Sequence, residues 1–82
     1  MKTSLAKAVA STIASVRKRT GLSQEALANR SGLDRTYISG IERGVRNITL
    51  NSLEKVINGL EIDTADFFEE VMRELKVHDK AK

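Results

Sequence analysis

Two short helix-forming stretches separated by about four residues restrict what this chain can fold into more than any other feature of it. They lie between Ser23 and Gly44, in the string SQEALANRSGLDRTYISGIERG. Ser23 is a good N-cap, and Gln24, Glu25, Ala26, Leu27 and Ala28 behind it are helix formers. The pattern predicts one helix over about Gln24 to Arg30, ending near Gly32. Leu33 leads into Asp34, a second N-cap candidate, and a further helix over about Arg35 to Arg43 stops at Gly44. So short a connection built around a glycine is what a helix-turn-helix requires.

The flanks read as packing for that pair. Leu5, Val9, Ile13 and Val16, with Ala6, Ala10 and Ala14 beside them, make one apolar face of a first helix from about Thr3 to Arg19. Arg17, Lys18 and Arg19 suit the negative end of its dipole, and Gly21 suits a left-handed cap. Thr49 caps a fourth helix lined by Leu50, Leu53, Val56, Ile57 and Leu60, with Gly59 marking its end. Asp63 caps a fifth, over about Thr64 to Val77, which leaves HDKAK as a polar, frayed tail. With 5 glycines, no proline and 4% aromatics, an all-α fold of five helices is expected. A length of 82 residues, 40% hydrophobic and 30% charged, fits one folded domain spanning 1–82.

Several function classes find no support. There is no cysteine, so disulfides and thiolate metal sites are excluded, and a small core has oligomerisation as one remaining way to complete itself. The lone histidine, His78, sits in the tail without a partner for a metal or a triad, and Glu69 and Glu70 are adjacent and so diverge on a helix. No glycine-rich phosphate loop is present. No enzyme, metal or cofactor is expected. No apolar run approaches the roughly 20 residues needed to span a bilayer, and the basic N-terminus follows a helical period more closely than a targeting peptide would. The expectation is a cytoplasmic protein. The net charge of +3 is modest, but arginines gather in the first half and near the middle while Glu61, Asp63, Asp66, Glu69, Glu70 and Glu74 crowd the last third.

On a helical wheel Tyr37, Ile38 and Ile41 turn to one side, and Thr36, Ser39, Gly40 and Arg43 to the other, with Arg35 beside them. Arg pairs in bidentate fashion with guanine, and Thr and Ser bond to bases or phosphates. Gly40 on that face would let a groove wall approach closely. A solvated helix face fits the same residues equally well. Gln24 stands where a helix N-terminus can meet a phosphate, as do Asn47, Thr49 and Ser52 at the fourth helix. A capping neighbour, a turn former and an N-cap are the plain alternatives for Gln24, Asn47 and Thr49.

The string S-Q-E-A-L-A-x-R-S-G-L-x-x-x-Y-I-S-x-I-E-R-G resembles the lambda-repressor-like helix-turn-helix family, five helices with the recognition helix third. More narrowly, L-D-R-T-Y-I-S-G-I-E-R-G-V-R-N-I-T and the 82-residue length resemble the controller proteins of bacterial restriction-modification systems. The resemblance implies a sequence-specific transcription regulator on double-stranded DNA, binding upstream of its own gene, with RNA polymerase a possible partner. It implies Gln24 as a phosphate contact, Arg35 and Thr36 as the first base-facing positions and Ser39 as a further candidate. Position 40, often a longer polar residue in phage repressors, is glycine here. Arg17 and Glu42 match a pair that ties the first helix to the third, either holding the arginine near the DNA backbone or serving only as structure. Arg43, Arg46 and Asn47 look like backbone contacts, Arg46 also a minor-groove candidate, and Tyr37 combines a core ring with a hydroxyl able to reach a phosphate.

Phe67, Phe68, Val71, Met72 and Leu75 make a face on the fifth helix wider than closing one small core needs. A homodimer through this face is the expectation, as the resemblance also implies, with purely intramolecular burial as the competing reading. An antitoxin-type regulator, whose fifth helix binds a different protein, and an adaptor using a repressor-like fold to bind protein are the two rival functions.

Overall fold

The computed structural model describes residues 4–80, with the side chains of 78–80 outside the described set. Among the described residues there are five α-helices and no strand: α1 (Leu5–Arg19), α2 (Gln24–Ser31), α3 (Arg35–Glu42), α4 (Leu50–Leu60) and α5 (Thr64–Lys80). The starts follow from side-chain caps. Ser23 Oγ accepts from the Ala26 amide at 3.0 Å, Thr49 Oγ1 from Ser52 at 3.1 Å, and Asp63 Oδ1 from Ala65 at 2.8 Å and Asp66 at 3.2 Å. Ser4 Oγ accepts from the Lys7 amide at 3.1 Å and sets the start of α1 at Leu5; the expected start at Thr3 lies outside the described residues. Asp34 has the extended N-cap backbone of α3 but makes no side-chain cap bond. α5 runs on through Lys80, beyond the expected end at Val77, and the side chain of His78 lies outside the described residues.

The turn between α2 and α3 closes by two backbone bonds, Leu33 N–H to the Ala28 carbonyl at 3.0 Å and Gly32 N–H to the Asn29 carbonyl at 3.4 Å. This Schellman pairing needs a left-handed residue, and Gly32 at φ 68° supplies it without a Cβ penalty. Leu33, just past the glycine, then packs against the core and fixes the angle at which α3 departs.

α1 packs on α5, and α2 packs on both α3 and α4, around one cluster of buried side chains. Ile13, Val16, Leu27, Ile38, Val56 and Phe67 are its largest fully enclosed apolar members. Each contributes about 1.5–3 kcal/mol by leaving water. Gly59, expected to end α4, lies inside it and is buried. A Cβ there would stand 2.5 Å from Ser31 Oγ and 3.3 Å from Leu27 Cδ1, so the glycine exists to let α2 and α4 approach. The helix ends instead at Glu61, which takes the left-handed conformation at φ 58°.

The fifth helix divides its wide apolar face into two stripes. Phe67 and Val71 are 0% and 2% exposed within the chain itself and belong to its own core, which corrects their assignment to a dimer seam. Leu75 is partly buried against that core, while Phe68 and Met72, one position further round, remain 39% and 54% exposed. Leu5 and Leu50, expected on buried faces, are also exposed, because each opens a helix whose first turn no other element covers.

Candidate nucleic-acid interface

Six of the seven arginines, all but the exposed Arg73 on α5, fall into two groups. Arg17, Arg19 and Arg30 each meet a carboxylate: Glu42 at 2.7 Å, Glu70 at 2.7 Å and Glu61 at 3.3 Å. Arg35, Arg43 and Arg46, all on α3 or the loop after it, have no carboxylate partner among the described residues, and all three are exposed. Cations left unpaired on one surface while others nearby are neutralised mark where an external anion is favoured.

The paired group builds the support. Arg17 Nε and Nη2 donate to Glu42 Oε2 and Oε1 at 2.7 and 2.9 Å, and Nη1 donates to the Leu22 carbonyl at 2.8 Å. With side chains only 11% and 7% exposed, this forked pair bolts α1 to the end of α3. The hydrogen bonds that Arg17 donates to Glu42 raise the Arg17 pKa, with burial acting against them, so the cation is permanent. The geometry is the expected tie between α1 and α3, and with an 11% exposed side chain Arg17 offers far less surface to a DNA backbone than Arg35, Arg43 and Arg46 do. Gln24 Nε2 donates to the same Glu42 Oε1 at 3.1 Å, so the side chain expected to meet a phosphate is held by the carboxylate that holds Arg17.

The unpaired group forms the outer surface. Arg35 and Thr36 are exposed on the first turn of α3 and make no side-chain hydrogen bond among the described residues. Ser39 is partly buried and accepts from Arg43 Nε at 3.4 Å, one helical turn further along. Thr36, Tyr37, Arg46 and Ser52 line one open polar depression between α3 and α4, together with Asp34 and the Gly32 turn. Tyr37 packs its ring against the core, and the Arg46 guanidinium lies over that ring, 4.9 Å from its centroid. Asn47 and Thr49 are exposed on the same loop and at the cap of α4. Gly40 is not on this outward face: it is buried beneath Arg46, and a groove wall cannot reach it.

Beside this surface runs a second feature that sequence reasoning placed only in part. An apolar groove of about 410 Å³ is lined by Leu5, Val9, Ile48, Leu50, Leu53 and Phe68, among others. Leu50 is 81% exposed and Leu5 60%, and both were missed as surface apolar residues. The available signal was position: a leucine directly after an N-cap sits where a helix has no neighbour yet.

Known proteins share this arrangement. A helix-turn-helix family model matches residues 13–67. Control protein C.MunI from Mycoplasma sp is 45% identical over 58 residues, covering 71% of this chain and 78% of that protein. Control protein C.BamHI from Bacillus amyloliquefaciens is 43% identical over 51 residues, 62% of this chain and 63% of that one. The wild-type restriction-modification controller protein C.Esp1396I superposes with a TM-score of 0.85 at 46% identity, over 89% of this chain and 96% of that one. C.Esp1396I has also been solved bound to a 25 base pair operator site, with a TM-score of 0.84, 46% identity and the same shares covered. A further structure is its tetramer in complex with its natural 35 base-pair operator, with a TM-score of 0.86, 46% identity and 90% and 97% of the two chains covered. With the helix-turn-helix model spanning residues 13–67 and a 45%-identical control protein covered over 78% of its length, this chain belongs to the helix-turn-helix family, among the restriction-modification controller proteins.

Proposed function

We propose that this transcription regulator binds a near-palindromic operator upstream of its own gene as a homodimer, with the N-terminal turn of α3 in the major groove. The observation that carries the reading is the division of the arginines, since Arg35, Arg43 and Arg46 are left without carboxylates on one surface. Arg35 and Thr36 read base edges, Ser39 stands behind them, and Gln24, Tyr37, Arg43, Arg46, Asn47, Thr49 and Ser52 grip the backbone. The binding of C.Esp1396I to an operator site supports the choice of DNA as partner.

All five helices act as one unit, and the exposed Leu5, Leu50, Phe68 and Met72 meet a second copy. Two recognition helices then lie about 34 Å apart, one turn of DNA, with half-sites about ten base pairs apart. One dimer recruits RNA polymerase in the cytoplasm and a second, at higher concentration, blocks it, which the tetramer of C.Esp1396I on its operator supports. Among the described residues no helix is long and apolar enough to cross a membrane.

The test is selection of bound duplexes from a randomised pool, followed by a salt series on the winner. A palindrome whose affinity falls steeply with salt is expected. Enrichment of no sequence would overturn the reading and favour the adaptor function.

A further inference from the structure

We infer that Gly40 is a positioning residue for DNA recognition, acting through Arg46, because the absent side chain opens a track that carries Arg46 back along α3 toward the base-facing turn. The inference rests on the reading of this surface as a DNA interface. Two independent contacts converge on Gly40. Its carbonyl accepts from the Val45 amide at 2.9 Å and the Arg46 amide at 3.2 Å, so the loop after α3 is anchored there. A Cβ at position 40 would stand 2.6 Å from Arg46 Cγ and 3.4 Å from Arg46 Cβ, so the arginine stem lies directly on the bare Cα.

The direction of that track matters. From Gly40 the Arg46 stem runs to the Tyr37 ring, where the guanidinium sits 4.9 Å from the centroid and joins Thr36 and Ser52 around the same polar depression. A long cation on a loop would otherwise sample many rotamers, and holding it between a glycine and an aromatic face removes that freedom before DNA arrives. Arg46 is exposed, so a methyl at position 40 evicts the arginine rather than breaking the helix. An alanine in a helix interior is otherwise favourable to the fold.

The experiment uses the full chain and the duplex enriched from the randomised pool. Gly40→Ala is expected to weaken binding about tenfold, the size of one well-made arginine contact, without lowering the melting temperature. Arg46→Ala should weaken it by a similar factor, and the double variant should be no weaker than Arg46→Ala alone, since the two changes remove one contact. Binding by Gly40→Ala equal to wild type, or losses that multiply in the double variant, would overturn the inference. If Gly40→Ala does not fold, the double variant decides: folding restored by Arg46→Ala supports the track, whereas failure of both shows that Gly40 serves the fold alone and the inference is wrong. Absence of any enriched sequence for the wild type tells against the DNA reading itself, a result distinct from these.

Discussion

Glu42→Ala is the most demanding test of how this fold is held. Glu42 accepts two forked bonds from Arg17 at 2.7 and 2.9 Å and a third from Gln24 at 3.1 Å. Removing the carboxylate leaves Arg17, 9% exposed, with the Leu22 carbonyl as the remaining side-chain hydrogen-bond partner described above. Stranding a buried cation in this way costs about 3–5 kcal/mol. A chain of this length has about 4–12 kcal/mol in all, so the variant is at or near the edge of folding.

Urea denaturation followed by far-UV circular dichroism, at one protein concentration because the proposed homodimer would add to stability, measures the change. The companion variant replaces Arg17 with Met and Glu42 with Leu together. With both charges gone no buried charge is left unpaired, and although the Leu22 carbonyl and Gln24 each lose a partner, the loss should stay well below that of Glu42→Ala. A Glu42→Ala loss below about 1 kcal/mol would show the pair to be a solvated surface bridge and refute the reasoning. A double variant as unstable as the single would place the effect in packing rather than charge. Alkaline pH is no substitute for the mutation. The bonds donated to Glu42 raise the Arg17 pKa, so its stabilisation is complete below the ordinary arginine value and is lost only as pH climbs through the raised one.

Other outcomes follow from single contacts. Gly59→Ala should destabilise by about 1–3 kcal/mol through overpacking, and less in a Ser31→Ala background, because the colliding atom is the buried Ser31 Oγ, which has no hydrogen-bond partner; paired urea titrations read the coupling. Ser31→Ala alone should be neutral or slightly stabilising. Glu61→Gly should raise stability by about 0.5–1 kcal/mol by relieving the left-handed backbone, in thermal melts on the same protein. Leu50→Glu with Phe68→Glu should give a folded monomer by sedimentation equilibrium with much weaker operator binding, and an intact dimer would move the seam elsewhere. Arg35→Ala should lose about 1–3 kcal/mol of affinity and relax preference at one position per half-site; equal weakening on every duplex, measured by competition, would remove its reading role.

How much of this was legible in the sequence depends on whether a residue's role is set by its own helix or by a neighbour. Caps and turns are local, and Ser23, Gly32, Thr49 and Asp63 do what their positions suggest. A wheel treats a helix as an isolated cylinder, and there the reading failed. Gly40 and Gly59 fall on apparently free or terminal positions, but each is buried because another segment, the Arg46 stem or α2, lies against it. The width of the α5 face was visible, yet only packing against α1 could assign Phe67 inward and Phe68 outward, one residue and about 100° apart. Leu5 and Leu50 have the right period but open their helices before any partner is in reach.

The division of the arginines also predicts which parts of this surface can change independently. Arg35 makes no contact that holds the fold among the described residues, so if it reads a base as proposed its replacement should alter recognition at little structural cost. Glu42 has no such freedom, because one carboxylate joins α1 to α3 through Arg17 and holds Gln24 at the start of α2. It thereby couples α1 and α2 to α3, so a change there should reach recognition and stability together. Arg46 stands between these cases: its side chain is exposed, but its place is set by Gly40 and Tyr37, so its contribution can be moved from either neighbour without touching the arginine itself. New operator preferences are therefore cheapest to reach by substitution at Arg35 and Thr36 and costliest through Glu42.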